Sequence, residues 1–182
     1  MIMLFVINSN AEENNIKYYS QDSGILSLMY HRFDENKYPS TNIQMNIFKE
    51  QMSIINTLNY KFYNPQRLQN NFNIPKNKKE ILITIDDAFL SFYKIAWPYL
   101  KRNKIPFILF VSTEAVGKTG YMSWEQIQEI EKESYAYIGN HSHSHNYLVD
   151  LETENFLYDI DTSIIIFNQH LGYNPTFFSY PF

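Results

Sequence analysis

Ile81-Leu82-Ile83-Thr84-Ile85-Asp86-Asp87-Ala88-Phe89 is the stretch on which the reading of this chain turns. Its first five residues are a largely β-branched run with the bulk of a strand buried on both faces, as in a parallel sheet. The run ends in two adjacent carboxylates. A second apolar stretch, Tyr135 to Ile138, leads into His141-Ser142-His143-Ser144-His145, which holds three of the five histidines in the chain. Each polar cluster stands where a buried strand should meet solvent. In open α/β sheets, ligands gather beyond the carboxyl ends of the strands.

Working outward, strand-like and helix-like segments alternate. Ile25 to His31 reads as a first strand. Asn42 is a candidate cap for a helix whose apolar positions Ile43, Ile47, Met52, Ile55 and Leu58 recur at helical spacing. Tyr60 to Tyr63 reads as a short strand, and the polar stretch from Asn64 to Lys79, with Pro75 inside it, as a loop. Phe92 to Asn103 has helical spacing, with Pro98 near its start or kinking it, and Ile105 to Val111 returns to strand character. Ser123, followed by Trp124, Glu125 and Gln126, predicts a capped helix start, with the helix running to about Glu133. The next strand is Tyr135 to Ile138. A long helix over Glu152 to Leu171 ends at Gly172, and Thr176 to Tyr180 begins another strand. Strand and helix repeated without a domain break predict one α/β unit with a parallel sheet and crossover helices.

Composition narrows the function classes. With 182 residues, 45% of them hydrophobic, the chain can bury a sizeable core, which excludes a disordered or fibrous protein. Tyr (15) and Phe (14) are abundant, which suits a layered core and also a sugar-stacking groove. The formal net charge of -4 is spread without a basic block, so the footprint of a nucleic-acid binder is missing. The apolar run Met1 to Ile7 is far short of the roughly 20 residues a membrane span needs. It reads either as the tail of a secretory signal, with Asn8 to Ala11 as a cleavage region, or as a plain N-terminal strand. The lack of cysteine excludes thiolate metal sites, a catalytic cysteine and disulfides.

The two clusters suit a metal-assisted hydrolase. A divalent ion held by neutral imidazoles and a carboxylate, with one position open, polarises an acyl carbonyl and acidifies water. His141 and His145 are four apart, so a helical turn or a wide loop turn brings both imidazoles to one side. Asp87 can supply the oxygen. In a continuing strand Asp86 would face the opposite way, but if the strand ends here both carboxylates can reach the site.

These residues resemble the polysaccharide deacetylases with the NodB homology domain. Thr84 to Phe89 is similar to the family's Thr-Phe-Asp-Asp-Gly motif, and His141 to His145 to its His-Ser/Thr-x-x-His motif. Leu28-Met29-Tyr30-His31-Arg32 resembles the first strand of the branch acting on poly-N-acetylglucosamine, and Phe178-Ser179-Tyr180-Pro181-Phe182 that branch's third motif. Lys104-Ile105-Pro106 and Gly120-Tyr121-Met122-Ser123-Trp124 also fall where such sequences have comparable segments. The likeness runs from about Gly24 to the last residue, and it implies a deacetylase domain over 24–182 preceded by an N-terminal segment, 1–23.

The resemblance implies an irregular, incomplete (β/α) barrel that lacks its last strands. It also implies removal of N-acetyl groups from an N-acetylglucosamine-containing polysaccharide. Asp87, His141 and His145 would bind a divalent metal, usually zinc in this family. Asp86 would be the general base, and the backbone N–H of Phe182 would donate to the oxyanion. Tyr180, Pro181, Phe182 and Trp124 would contact the substrate. The expected partner is the polysaccharide, with neither nucleic acid nor a membrane span, and the family favours an extracytoplasmic location.

Several departures stand out. Ala88 replaces the usual glycine, so the turn must accept a methyl group or use another backbone angle. Ile85 replaces phenylalanine, and Ser179 stands where many members carry an arginine that pairs with the base. The chain stops inside the third motif, and such barrels usually run to about 200 residues or more, so it looks like a fragment whose general acid is expected beyond residue 182. His31 reads first as a satisfied strand-end histidine and second as lining the site, His143 as pointing away from the metal, and His170 as a surface residue. Trp124 is read first as helix-start packing and second as a sugar platform. Two other readings stay open: a catalytically silent carbohydrate-binding barrel, and an amidohydrolase acting on a small non-sugar amide.

Overall fold

A computed structural model describes residues 25–70 and 80–182. The Met1 to Ile7 run and the Pro75 part of the predicted loop lie outside the described residues. The strands are β1 (Leu26–Tyr30), β2 (Arg32–Phe33), β3 (Asn42–Ile43), β4 (Lys61–Phe62), β5 (Glu80–Ile85), β6 (Phe107–Val111) and β7 (Ala136–Asn140). The α-helices are α1 (Met45–Thr57), α2 (Gln66–Asn70), α3 (Trp97–Asn103), α4 (Trp124–Glu131) and α5 (Thr153–Leu171).

The main sheet is parallel throughout, in the order β1-β5-β6-β7, with β4 pairing at the start of β5. Helix α3 crosses from β5 to β6, and α4 from β6 to β7, as parallel neighbours require. This alternation and ladder are those of an incomplete (β/α) barrel. Opposite β5 residue Ile85 stand Tyr30 of β1 and Leu109 of β6, and β6 and β7 run on two residues further, to the pair Val111 and Asn140. The carboxyl ends are therefore staggered around one rim.

β5 and β6 have the predicted character. Nearly every residue in them is buried, as in parallel strands packed on both faces. A ring cluster of Tyr30, Phe33, Phe48, Phe92 and Phe107 fills one side, with edge-to-face contacts such as Phe33 to Phe48 at 5.1 Å. Pro98 sits at the first turn of α3, where its missing N–H costs nothing. The preceding turn, Phe92–Ala96, is π-helical. The predicted capping box at Ser123 is present, with reciprocal bonds between Ser123 and Gln126, and Gly172 ends α5 in the left-handed region.

Four local expectations are corrected. Asn42 does not cap α1. It lies in β3, and the helix starts three residues later, where the Met45 N–H donates to Asp34 Oδ1 over 2.7 Å. A carboxylate brought by the chain fold thus replaces a local cap. The buried face of α1 is Met45, Phe48, Met52 and Ile55, and Ile47 and Leu58 are exposed, Leu58 lying past the helix end as its C-cap. Thr176 to Tyr180 forms only a single parallel bridge, Phe178 to Asn140, flanked by hydrogen bonds from Asn140 N–H to Phe177 O and from Ser179 N–H to Asn140 O. The predicted Asn64 to Lys79 loop also contains α2.

Candidate metal centre

Four neighbouring strands each deliver a polar residue at the first position past their carboxyl ends: His31, Asp86, Ser112 and His141. Asp86 N–H still donates to Tyr30 O over 2.8 Å, so the ladder ends there and side-chain alternation ends with it. The chain then turns through Asp87 and Ala88 in the left-handed region, at φ 72° and 52°. Ala88 thus keeps the backbone angle suited to glycine and carries its buried methyl there, a strain of about 1–2 kcal/mol for an L-residue. Bonds from Met122 N–H to Ala88 O and from Leu90 N–H to Gly120 O, each 2.9 Å, clamp the turn.

Gly139 lets β7 approach β6 closely, since a Cβ there would collide with the Phe110 ring. Two residues on, His141 opens a wide loop and not a helical turn. Every backbone N–H from His141 to Asn146 has an acceptor. They are Val111 O, Asn140 Oδ1, Asp159 Oδ1, Asp159 Oδ2, Ser142 Oγ and Ser144 Oγ, in chain order. The loop is conformationally costly as well as fully bonded: of eight described non-glycine residues at positive φ, five are Asp87, Ala88, Ser142, His145 and Phe182. Such concentration at one spot marks a functional site, because strain persists only where surrounding contacts enforce it.

The side chains converge. One ligand atom each from Asp87, His141 and His145 lies within 4.8 Å of the other two. Asp87 Oδ1 is 2.9 Å from His145 Nε2 and 3.5 Å from His141 Nε2. His141 Nδ1 lies 2.8 Å from Ser179 O, a bond in which the ring N–H donates to the carbonyl and leaves Nε2 with its lone pair toward the centre.

Electrostatics agree with that geometry. Burial first, then repulsion from Asp87, pushes the Asp86 carboxyl up to about 7. Burial also works to raise Asp87, but the imidazoles of His145, His141 and His31 outweigh it and leave it below the usual range. The close contact with the Asp87 carboxylate raises His145, whereas burial lowers His141. Burial lowers His31 too, against the pull of Asp87.

The donor set fits a divalent cation. Asp86 Oδ1 and Asp87 Oδ1 are buried with no partner of hydrogen-bonding geometry, although two imidazole nitrogens stand close by. Orphaned carboxylate oxygens in so dry a setting call for a counter-charge. Two neutral imidazoles and one carboxylate, one imidazole oriented by a carbonyl, form a ligand set typical of an open metal site.

The class is thus a parallel α/β scaffold that sets an Asp-His-His cluster able to hold a metal ion, and a buried carboxylate, at one rim. A family model described as polysaccharide deacetylase matches residues 73–182, and the chain belongs to that family. It is 24% identical over 156 residues to YxkH of Bacillus subtilis (strain 168), which carries a polysaccharide deacetylase name. The match covers 85% of this chain and 55% of YxkH, so the chain spans about half the length of that relative. Among solved structures it is similar to IcaB from Ammonifex degensii (29% identity, TM-score 0.77, covering 87% of this chain and 74% of that one). The fold also matches the Streptococcus pyogenes deacetylase PplD in complex with acetate (22% identity, TM-score 0.73, covering 86% and 73%).

The remaining expected residues divide. A cavity of about 310 Å³ beside the cluster is lined by Asp87, Phe89, Tyr121, His143, Ser144 and His145, among others. Phe182 reaches the cluster, its ring centroid 5.1 Å from that of His145, and Pro181 beside it is buried. Tyr180 is exposed and its ring packs on Phe178. Trp124 does not line the cavity: His170 stacks on one of its faces at 4.3 Å and Phe167 meets its edge, so the ring is used for helix-start packing. His170 is exposed, as expected. His143 bonds Thr113 Oγ1 through Nδ1 at 2.9 Å and is outside the ligand trio. His31 follows the end of β1 next to Asp86 on the rim, and Asp87 and His145 both act on its charge. Sequence reasoning passed over Asn140, Asp159 and Ser163. The available signal was a polar residue twice in the buried stripe of α5, at Asp159 and Ser163, ahead of Phe167.

Proposed function

We propose that this chain carries the catalytic core of a metal-dependent hydrolase that removes N-acetyl groups from an N-acetylglucosamine-containing polysaccharide, releasing acetate and leaving a free amine. Residues 24–182 form the deacetylase domain in this reading, and 1–23 precede it. The observation that carries the proposal is the convergence of Asp87, His141 and His145 beside Asp86, a buried carboxylate with an unpartnered oxygen. Family membership and the fold shared with deacetylases support it.

Asp87, His141 and His145 would hold the divalent ion, zinc by family habit, and the chemistry it supplies when bound is polarisation of an acyl oxygen and acidification of water. Asp86 takes the proton of the attacking water, and its upward-pushed pKa suits a base working near neutral pH. The backbone N–H of Phe182 donates to the oxyanion, and Tyr180 and Pro181 flank the sugar.

Acetate release from N-acetylglucosamine oligomers, measured with and without added Zn²⁺, tests the proposal. The expected result is metal-dependent release that falls at least ~100-fold in Asp86→Asn, the usual scale of lost base catalysis. Release at the unsubstituted rate by Asp86→Asn would remove Asp86 from the base role. Release only from a small non-sugar amide would favour the amidohydrolase reading.

A further inference from the structure

We infer that Asp159, on α5, is a positioning residue for the metal centre: its carboxylate sets the backbone between the two histidine ligands. The inference rests on the metal reading above. Asp159 is 5% exposed, and each of its oxygens receives one backbone N–H, His143 to Oδ1 at 2.7 Å and Ser144 to Oδ2 at 2.9 Å. It has no ion pair within 4 Å among the described residues. Its charge is met by two consecutive peptide N–H groups, both lying between His141 and His145.

A buried carboxylate is tolerated only where hydrogen bonds replace lost water, and bonds of peptide N–H to an ionised oxygen are among the stronger ones. Breaking the pair of bonds would leave a buried charge and two orphaned donors together. Helix α5 and the ligand loop are therefore locked to one another. The lock acts where the backbone most needs it, because Ser142 and His145, on either side of the two anchored residues, are at φ 69° and 57°. A relaxed loop would rotate His145 away from Asp87, which it now meets at 2.9 Å.

A second α5 residue extends the lock. Asn140 Nδ2 donates to Ser163 Oγ at 2.7 Å, while Asn140 Oδ1 receives the Ser142 N–H at 2.8 Å. Ser163 lies one helical turn after Asp159, so α5 grips the start of the loop with one turn and its middle with the previous one. The buried polar stripe of α5 is thereby explained. It faces a loop whose peptide groups find few backbone partners, and not an apolar surface.

The test uses the metal-free chain and its Asp159→Asn variant, titrated with Co²⁺ and competed with Zn²⁺. Asn keeps the shape but turns one acceptor into a donor facing an N–H. The expected result is a 10- to 100-fold weaker affinity, the usual effect of removing a group that orients ligands, and a changed Co²⁺ visible spectrum. Equal affinity with an identical spectrum overturns the inference. Failure of the unsubstituted chain to bind either ion overturns the metal reading instead. Amide hydrogen exchange on the unsubstituted, metal-free chain keeps the inference open to refutation if the variant does not fold. The His143 and Ser144 amides should exchange as slowly as those of β7, and exchange at loop rates would overturn the anchor regardless of metal binding.

Discussion

Replacing Asp86 by Asn in the metal-free protein should alter stability in a strongly pH-dependent way. The carboxyl is 3% exposed, one oxygen has no partner, and burial plus the Asp87 charge lift its pKa from the ordinary 3.8 to about 7. A folded-state value above the unfolded one means that the folded protein binds the proton more tightly. Stability from this group is fully present below about pH 4 and is lost as pH rises through about 7. Each tenfold difference in ionisation constant is worth about 1.4 kcal/mol, so the full loss approaches about 4 kcal/mol. Coupling to Asp87 makes about 2–4 kcal/mol the working range.

Asn carries no charge at either end of that window. Urea unfolding in EDTA should therefore show the stability difference, Asp86→Asn minus unsubstituted, growing by about 2–4 kcal/mol between pH 4.5 and pH 8. Any constant cost of burying an amide shifts both ends equally and drops out. A difference that stays flat within about 0.5 kcal/mol across that range would refute the account of Asp86 as a dry, charge-crowded carboxyl.

Two further outcomes follow from the same site. The Asp87 contact raises the His145 pKa, so His145 tends to hold its proton in the metal-free protein and a cation must displace it. Zn²⁺ affinity measured by calorimetry should tighten as pH rises through and above the ordinary imidazole range, with net proton release, and a pH-independent affinity would exclude His145 as a ligand. Ala88→Gly should be near neutral in denaturant unfolding, within about 1 kcal/mol, because relief of about 1–2 kcal/mol of left-handed strain offsets the lost buried methyl and added chain entropy. A loss above about 2 kcal/mol would show that the methyl is needed for packing and that the strain is negligible.

The sheet was legible because β5 and β6 are continuous apolar runs bounded by polar residues, a pattern that period and length settle locally. That Asp87, His141 and His145 come together was legible because they sit at strand ends in two compact clusters and match the family pattern. What could not be read depends on partners far along the chain. Asp34 caps α1 from eleven residues away, so local capping logic put the helix start at Asn42. Asp159 looks like one more polar residue of an amphipathic helix until the fold lays α5 against the histidine loop. Trp124 was ambiguous because its use as packing or platform rests on whether His170 covers its face, and the two are 46 residues apart. His31 could be read as strand-end or site-lining, since only the β1 to β5 pairing sets it beside Asp86.

The central claim is that Asp87, His141 and His145 together bind one divalent ion. Metal analysis by mass spectrometry on the purified chain, loaded with Zn²⁺ and freed of excess, tests it most directly, alongside Asp87→Ala, His141→Ala and His145→Ala. The account predicts about one ion per chain, and for each variant an affinity weaker by at least ~100-fold, since each removes a direct ligand. An unsubstituted chain that retains no ion, or three variants that retain it as well as the parent, would contradict it.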